Sequence, residues 1–231
     1  MSETLLKVVS GGPFKPTLSE VVPAYEVANS IRIDSRYEPM GPLLERLAAG
    51  EHEDVLILSA EAMLIAQGRG WVDAAGIVEI GRVGVGVGVR QGARVPDVST
   101  PEAFKAALLA ARSVVATDPA KGTSGMHFAA VLAKLGITEQ MRPKLRLVDG
   151  GYGADSVAAG EIEMVVQPMT VVKSAPGVAF AGPLPDSLQK TSRYEGAVTT
   201  STRDAASAMA FLAHLQTPAV RAALVRQGFE P

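Results

Sequence analysis

Short apolar runs of strand length recur along this chain, each followed by a stretch with helical periodicity, and this alternation restricts the fold to a narrow class. Leu5 to Val9 is apolar and ends in Ser10-Gly11-Gly12-Pro13, the pattern of a buried strand meeting a tight turn. Phe14, Leu18, Val21 and Tyr25 follow at spacings of four, three and four, which is one helical face. Pro23 is expected to kink or shorten that helix. Ile31, Ile33, Ser35 and Tyr37 alternate as a second strand. Gly41-Pro42 opens a second helix with the stripe Leu43, Leu44 and Leu47, and Gly50 can end it. Val55-Leu56-Ile57-Leu58 is apolar at every position, as in parallel strands covered on both faces. The alternation then resumes: a helix capped by Thr100-Pro101-Glu102, a strand from Ser113 to Thr117, and a helix after Gly125. A strand from Leu145 to Val148, a short helix from Ser156 to Ala159 and a strand from Met164 to Gln167 come next. Residues 168–193 read as turns, and two helices over 203–215 and 218–227 close the sequence. Such a chain is an α/β protein with mainly parallel sheets.

One segment breaks the pattern. From Val83 to Val89, Val and Gly alternate strictly, which in a strand puts the valines on one face and Gly84, Gly86 and Gly88 on the other. Glycine weakens a strand but lets another group approach its backbone. Two readings stand side by side: a long strand over Ile77–Val89 that crosses between two lobes, or a sheet position under a tightly packed helix. It is not a dinucleotide fingerprint, because no GxGxxG spacing fits.

Composition removes several functions. Twenty-two basic and 24 acidic residues leave a formal charge of −2, with no basic cluster of the kind nucleic acid requires. There is no Cys, so thiolate catalysis, Cys-ligated zinc and Fe–S clusters are excluded. His52, His127 and His214 lie far apart with no paired spacing, and neither a metal site nor a cofactor is expected. No apolar run approaches the roughly 18 residues of a membrane span. Met1 to Lys7 has neither a basic n-region nor an apolar h-region, which reads as a cytoplasmic chain, or a periplasmic one if a leader was trimmed.

Three strand ends open into small-residue loops that lead into helices: Ser10-Gly11-Gly12, Lys121-Gly122-Thr123-Ser124-Gly125 and Gly150-Gly151-Tyr152-Gly153. Ligands of α/β sheets bind outside the carboxyl ends of the strands. Helix N-termini there offer free N–H groups and partial positive charge, which suits anions. Each loop alone reads as an ordinary turn; three together point to a site for a small anion. Lys121-Gly122-Thr123 is not a P-loop, because Lys precedes Gly.

The order of these motifs resembles the type 2 periplasmic solute-binding fold and, within it, the molybdate-binding protein family. The matching stretches are the Leu6–Ser10 strand, the Leu43–Gly50 helix with Asp54-Val55, the Ser113–Gly125 strand and loop, Val157-Ala158-Ala159-Gly160-Glu161-Ile162, and Ala208 through Phe229. The resemblance implies two α/β lobes, one of residues 1–84 plus 182–231 and one of 85–181. Crossovers are expected near Val83–Val89 and Ala175–Gly182, with the ligand in an interlobe cleft closed by hinge motion. Ser10 stands where the family places its first oxyanion-binding Ser. The family's second hydroxyl site reads Pro39-Met40-Gly41-Pro42 here, and its Tyr after the Gly-Glu helix is replaced by Gln167-Pro168-Met169. With two hydroxyls missing, a di- or tricarboxylate is expected in preference to molybdate. The ligand set implied is Ser10, Gly11, Gly12, Met40, Gly41, Thr123, Ser124, Gly125, Tyr152 and Gln167.

Two functions follow. As a receptor the chain holds a small anion, with an ABC permease as partner only if it is exported. As an enzyme it isomerises an unsaturated carboxylic acid by allylic proton transfer, since aconitate isomerases resemble molybdate-binding proteins; this needs an acid–base group beside a carbon acid. Lys121, Glu38 and His127 are the candidates put forward, while Asp118, Asp149 and Asp155 suit turns and caps. Trp71, the single Trp, is expected to pack against the first lobe.

Overall fold

The structure is a computed structural model and describes residues 4–149 and 153–230. The elements run β1 (Thr4–Ser10), α1 (Lys15–Asn29), β2 (Ile31–Tyr37), α2 (Met40–Ala48), β3 (Val55–Ser59), α3 (Ala60–Gly68), β4 (Val78–Val83) and β5 (Val85–Arg90). They continue α4 (Pro101–Ala110), β6 (Val114–Thr117), α5 (Thr123–Lys134), α6 (Thr138–Met141), β7 (Leu145–Val148), α7 (Gly153–Ala158), β8 (Met164–Pro168) and α8 (Met169–Ser174). The last are β9 (Val178–Pro183), β10 (Ser192–Val198), α9 (Ala205–His214) and α10 (Pro218–Gln227). No single described helix is long and apolar enough to cross a membrane.

Two compact units result: one takes the chain up to Arg82 and again from Ser192, the other takes Val83–Thr191. The first holds a five-stranded sheet in the order β2-β1-β3-β10-β4. β1 pairs in parallel with β2 and β3, whereas β10 joins β3 antiparallel. Both faces are covered, as the all-apolar β3 requires. Leu56, Leu58 and Ala197 pack with Leu43 and Leu47 of α2 and Met63 of α3. Ala197's neighbour Gly196 faces the other way, where Leu212 of α9 closes on it. In that second layer Phe14 meets Phe229 with ring centroids 4.5 Å apart, and Tyr25 meets Phe211 at 5.2 Å. Trp71 packs against the α2/α3 side, as its place in the sequence suggests. α1 runs on through Pro23 to Asn29, so the proline does not shorten it. Ser19, four residues before, is exposed, so water can serve the carbonyl that the missing N–H of Pro23 leaves free.

The second unit holds the sheet β7-β6-β8-β5-β9. β6 pairs in parallel with β7 and β8, and β5 pairs antiparallel with β8 and β9. Alternation along β6 and β8 again fills two layers. Val114, Ala116 and Val166 join Phe104 of α4 and Phe128 of α5, while Val115 and Val165 join Val157 of α7 and Val172 of α8.

The Val/Gly segment is not one strand. It breaks at Gly84, and β4 and β5 belong to different sheets. The Gln189 side chain lies over Gly84 and bonds both backbone groups of Val85, accepting from its N–H at 2.9 Å and donating to its carbonyl at 2.8 Å. Beyond the break, Val85 and Val87 enter the α4/α5 core, and the glycines face α8. An ideal Cβ on Gly88 would lie 2.5 Å from Val172 and 2.7 Å from Val178. Chain crossing and close helix packing therefore both occur, on neighbouring residues. Residues 168–193 hold α8, β9 and the start of β10 rather than turns alone. The second division point lies after Thr191, not at 181, because Leu184 and Leu188 are buried in the second unit's core.

Candidate functional site

In the first unit the strand ends gather Ser10, Gly11, Gly12, Met40 and Gly41. Register places Ser10 beside Tyr37 of β2 on one side and Ile57 of β3 on the other. Ser10 is fully buried, and its hydroxyl donates to the Gly11 carbonyl at 3.1 Å. The backbone then folds on itself: Glu38 N–H donates to Ser10 O at 3.0 Å and Phe14 N–H to Gly11 O at 3.1 Å. Gly11 is required here, because an ideal Cβ would lie 2.9 Å from Met40 Cε and 3.2 Å from Tyr194. Gly12 and Gly41 meet nothing within 4 Å on the side where a Cβ would project. That leaves their backbone open to a ligand. Ser59, at the end of β3, caps α3 by accepting from Ala62 N–H at 3.4 Å; the sequence reading missed it because it ends an unbroken apolar run.

In the second unit the strand ends of β6 and β8 hold a connected polar cluster. Thr117 Oγ1 accepts from Ser124 Oγ at 3.3 Å and from Gln167 Nε2 at 3.3 Å. Both lone-pair directions are thus used, so the Thr117 hydroxyl is left to donate its own proton. Thr117 reads in sequence only as the end of a strand, and the signal that could have found it is the Asp-Pro turn that follows. Thr123, Ser124 and Gly125 form the first turn of α5, whose free N–H groups and dipole favour negative charge. Gly125 is held tightly: an ideal Cβ there would fall 2.3 Å from Thr117 O. Gly153, at the start of α7, lets the helix approach Val115 and Gln167. Tyr152 lies outside the described residues, as do Gly150 and Gly151.

The three acid–base candidates stand in different circumstances. Glu38 accepts from Arg46 Nε at 3.0 Å. His127 sets Nε2 against the Leu188 carbonyl at 2.8 Å, and burial lowers its pKa, although the carbonyl works in the opposite direction. Lys121 sits in the turn before α5, and its ammonium makes no hydrogen bond or ion pair among the described residues. Asp118 forms the turn itself, accepting from Ala120 N–H at 2.8 Å through its carboxylate. Among the described residues no three His, Asp or Glu side chains gather as a metal site would require. Three strand arginines have carboxylate partners within the protein: Arg32 pairs with Glu26, Arg36 with Asp34, and Arg82 with Glu79. What remains at the strand ends is a set of hydroxyl, amide and backbone donors, suited to an anion held without a full counter-charge.

The fold is shared with known solute-binding proteins. The periplasmic molybdate-binding protein of Azotobacter vinelandii superposes with a TM-score of 0.83 at 16% identity, covering 98% of this chain and 99% of that one. The sulfate-binding protein SubI of Mycobacterium tuberculosis gives 0.76 at 18% identity, covering 99% and 87%. In sequence, an aconitate isomerase from a Pseudomonas species is 32% identical over 99% of this chain and 88% of its own length. A family model described as bacterial extracellular solute-binding protein matches residues 6–230. With almost every residue inside that match, the chain belongs to the bacterial extracellular solute-binding protein family.

Proposed function

We propose that this chain binds a di- or tricarboxylate at its strand-end loops and isomerises an unsaturated one, of the aconitate type, by allylic proton transfer. The observation that carries the reading is the 32% identity to an aconitate isomerase over 99% of the chain. Each unit by itself offers donors that support it: in the first the backbone N–H of Gly12, in the second the Thr117 hydroxyl and the free N–H groups of the α5 N-terminus; such donors can meet carboxylate oxygens and can stabilise the enolate-like charge that builds as a proton leaves carbon. In the reaction a base takes a proton from the saturated carbon next to the double bond. The double bond moves by one position, and a proton returns to the former vinylic carbon, so the product is an isomer. Lys121 is the group proposed for this transfer, since Glu38 is held by Arg46 and His127 by Leu188.

The test is proton NMR of cis- and trans-aconitate in D₂O with the protein. New resonances and deuterium entering C–H positions are expected, and both are expected to vanish in Lys121→Met. Broadening of one acid with no exchange would instead make the protein a receptor, the role in which a permease partner belongs. Exchange that persists in Lys121→Met would move the base elsewhere. No response to any acid, with binding of molybdate or sulfate, would overturn the reading. Thr117→Val keeps the shape and removes the hydroxyl proton. By calorimetric titration with trans-aconitate it is expected to weaken binding by roughly 10-fold to 100-fold, the range for a hydrogen bond to a charged group.

A further inference from the structure

The first unit carries a group of charges that the proposed reaction does not use. Glu53, just before β3, is buried, with its side chain 1% exposed. One carboxylate oxygen accepts from Arg46 Nη2 at 3.1 Å; the other has no hydrogen-bond partner. A carboxylate this deep needs a cation, because removing either partner strands the other away from water. Arg46, on the last turn of α2, is also committed to Glu38 through Nε and to Glu51 through Nη1. Burial opposes its charge, but the hydrogen bonds it donates to Glu38 and Glu53 outweigh that and hold Arg46 protonated more firmly than usual. Arg36 stands further off, 3.8 Å from Glu53. Glu38 is the end of this chain of contacts that reaches the strand-end loop: its N–H donates to Ser10 O, and the next turn places Met40 against Gly11.

We propose that Arg46 is a positioning residue: fixed by the buried Glu53, it holds and neutralises Glu38, and so clamps the Glu38–Met40 turn onto the Ser10-Gly11 loop. The clamp acts in two ways. It sets the geometry of the loop, and it removes a negative charge from beside groups that would meet an anion. The second effect rests on the carboxylate-binding reading given above; the first does not.

The experiment uses the whole chain and two variants. Glu38→Ala cuts the clamp while leaving the Arg46–Glu53 pair whole, so it folds even if Arg46→Gln does not. Amide hydrogen exchange, read residue by residue without ligand, is expected to quicken at Glu38 and Gly11 by on the order of tenfold in both variants, with Leu56, Ile57 and Leu58 unchanged. Unchanged exchange at Glu38 and Gly11 in a folded variant would overturn the proposal, whatever the protein binds. In titrations with trans-aconitate, Arg46→Gln is expected to lose more affinity than Glu38→Ala, because only the former leaves Glu38 charged, and added salt is expected to narrow that gap. Equal losses at all salt concentrations would overturn the charge-neutralising half. If the unmodified protein binds no carboxylate, the functional reading and that half fail together, and the exchange data still decide the clamp.

Discussion

Phe14→Ala is expected to destabilise the first unit by about 3–5 kcal/mol, the range for emptying a buried phenylalanine site. Phe14 is 1% exposed and stands where three parts of the sequence meet. Its ring is edge-on to Tyr194 of β10 at 5.3 Å and tilted on Phe229, past the end of α10, at 4.5 Å. Phe229 in turn covers Gly81 of β4. The cavity left by alanine therefore has rigid walls, and little collapse is available to lower the cost. The measurement is urea unfolding followed by Trp71 fluorescence, which reports this unit because the chain has no other Trp. Phe14→Leu, which keeps most of the volume, should cost markedly less. A loss below about 1 kcal/mol for alanine would mean that the aromatic cluster does not anchor the unit, since that is the typical effect of an ordinary substitution. Tyr194 also crowds Gly11, so the alanine variant should bind more weakly even where it remains folded.

Gly125→Ala is expected to damage the second unit and its polar cluster together. The new methyl would sit 2.3 Å from Thr117 O and 2.8 Å from the Asp118 carbonyl, both backbone atoms that cannot swing aside. Either α5 must lift or the end of β6 must move, at a cost of about 1–3 kcal/mol for overpacking. Either motion separates Ser124 from Thr117, so affinity for trans-aconitate should fall by at least about tenfold, as for losing a charge-assisted hydrogen bond. Gly12→Ala is the control for stability, since nothing lies within 4 Å of its would-be Cβ and surface changes of that kind stay within about 0.5 kcal/mol. Thermal melts and titration read both variants. Normal binding by Gly125→Ala would show that the Thr117–Ser124 contact is dispensable.

The parts of the fold legible in the sequence were those set by local pattern. The β1, β2, β3 and β6 strands and most helices declare themselves through apolar runs and spacing of three and four, and their order carries the family resemblance. What escaped depends on partners distant in sequence. β9 and β10 lie in a stretch rich in Pro and Gly, and they are strands because β5 and β3 supply their hydrogen bonds. The break at Gly84 escaped for the same reason: Gln189, which caps Val85, is 104 residues away. Sequence could name Ser10, Thr123 and Ser124 because small and polar residues at strand ends are visible as such, and Gln167 through the family resemblance. It could not show that Gln167 and Ser124 both point their donors at Thr117, nor that Arg46 occupies Glu38.

The placement of β10 also bears on synthesis. β3 is apolar along its whole length, and one of its two flanks in the sheet is completed only by residues 192–198. On the ribosome that flank stays open while the entire second unit is made, an exposed template of the kind that draws strands from other chains. The second unit meets no such delay, because Val83–Thr191 is one continuous stretch. A nascent chain halted before residue 192 would thus carry a finished second unit and an unfinished, sticky first one. Chaperone demand should rise and then fall over a window bounded by the emergence of β3 and of β10.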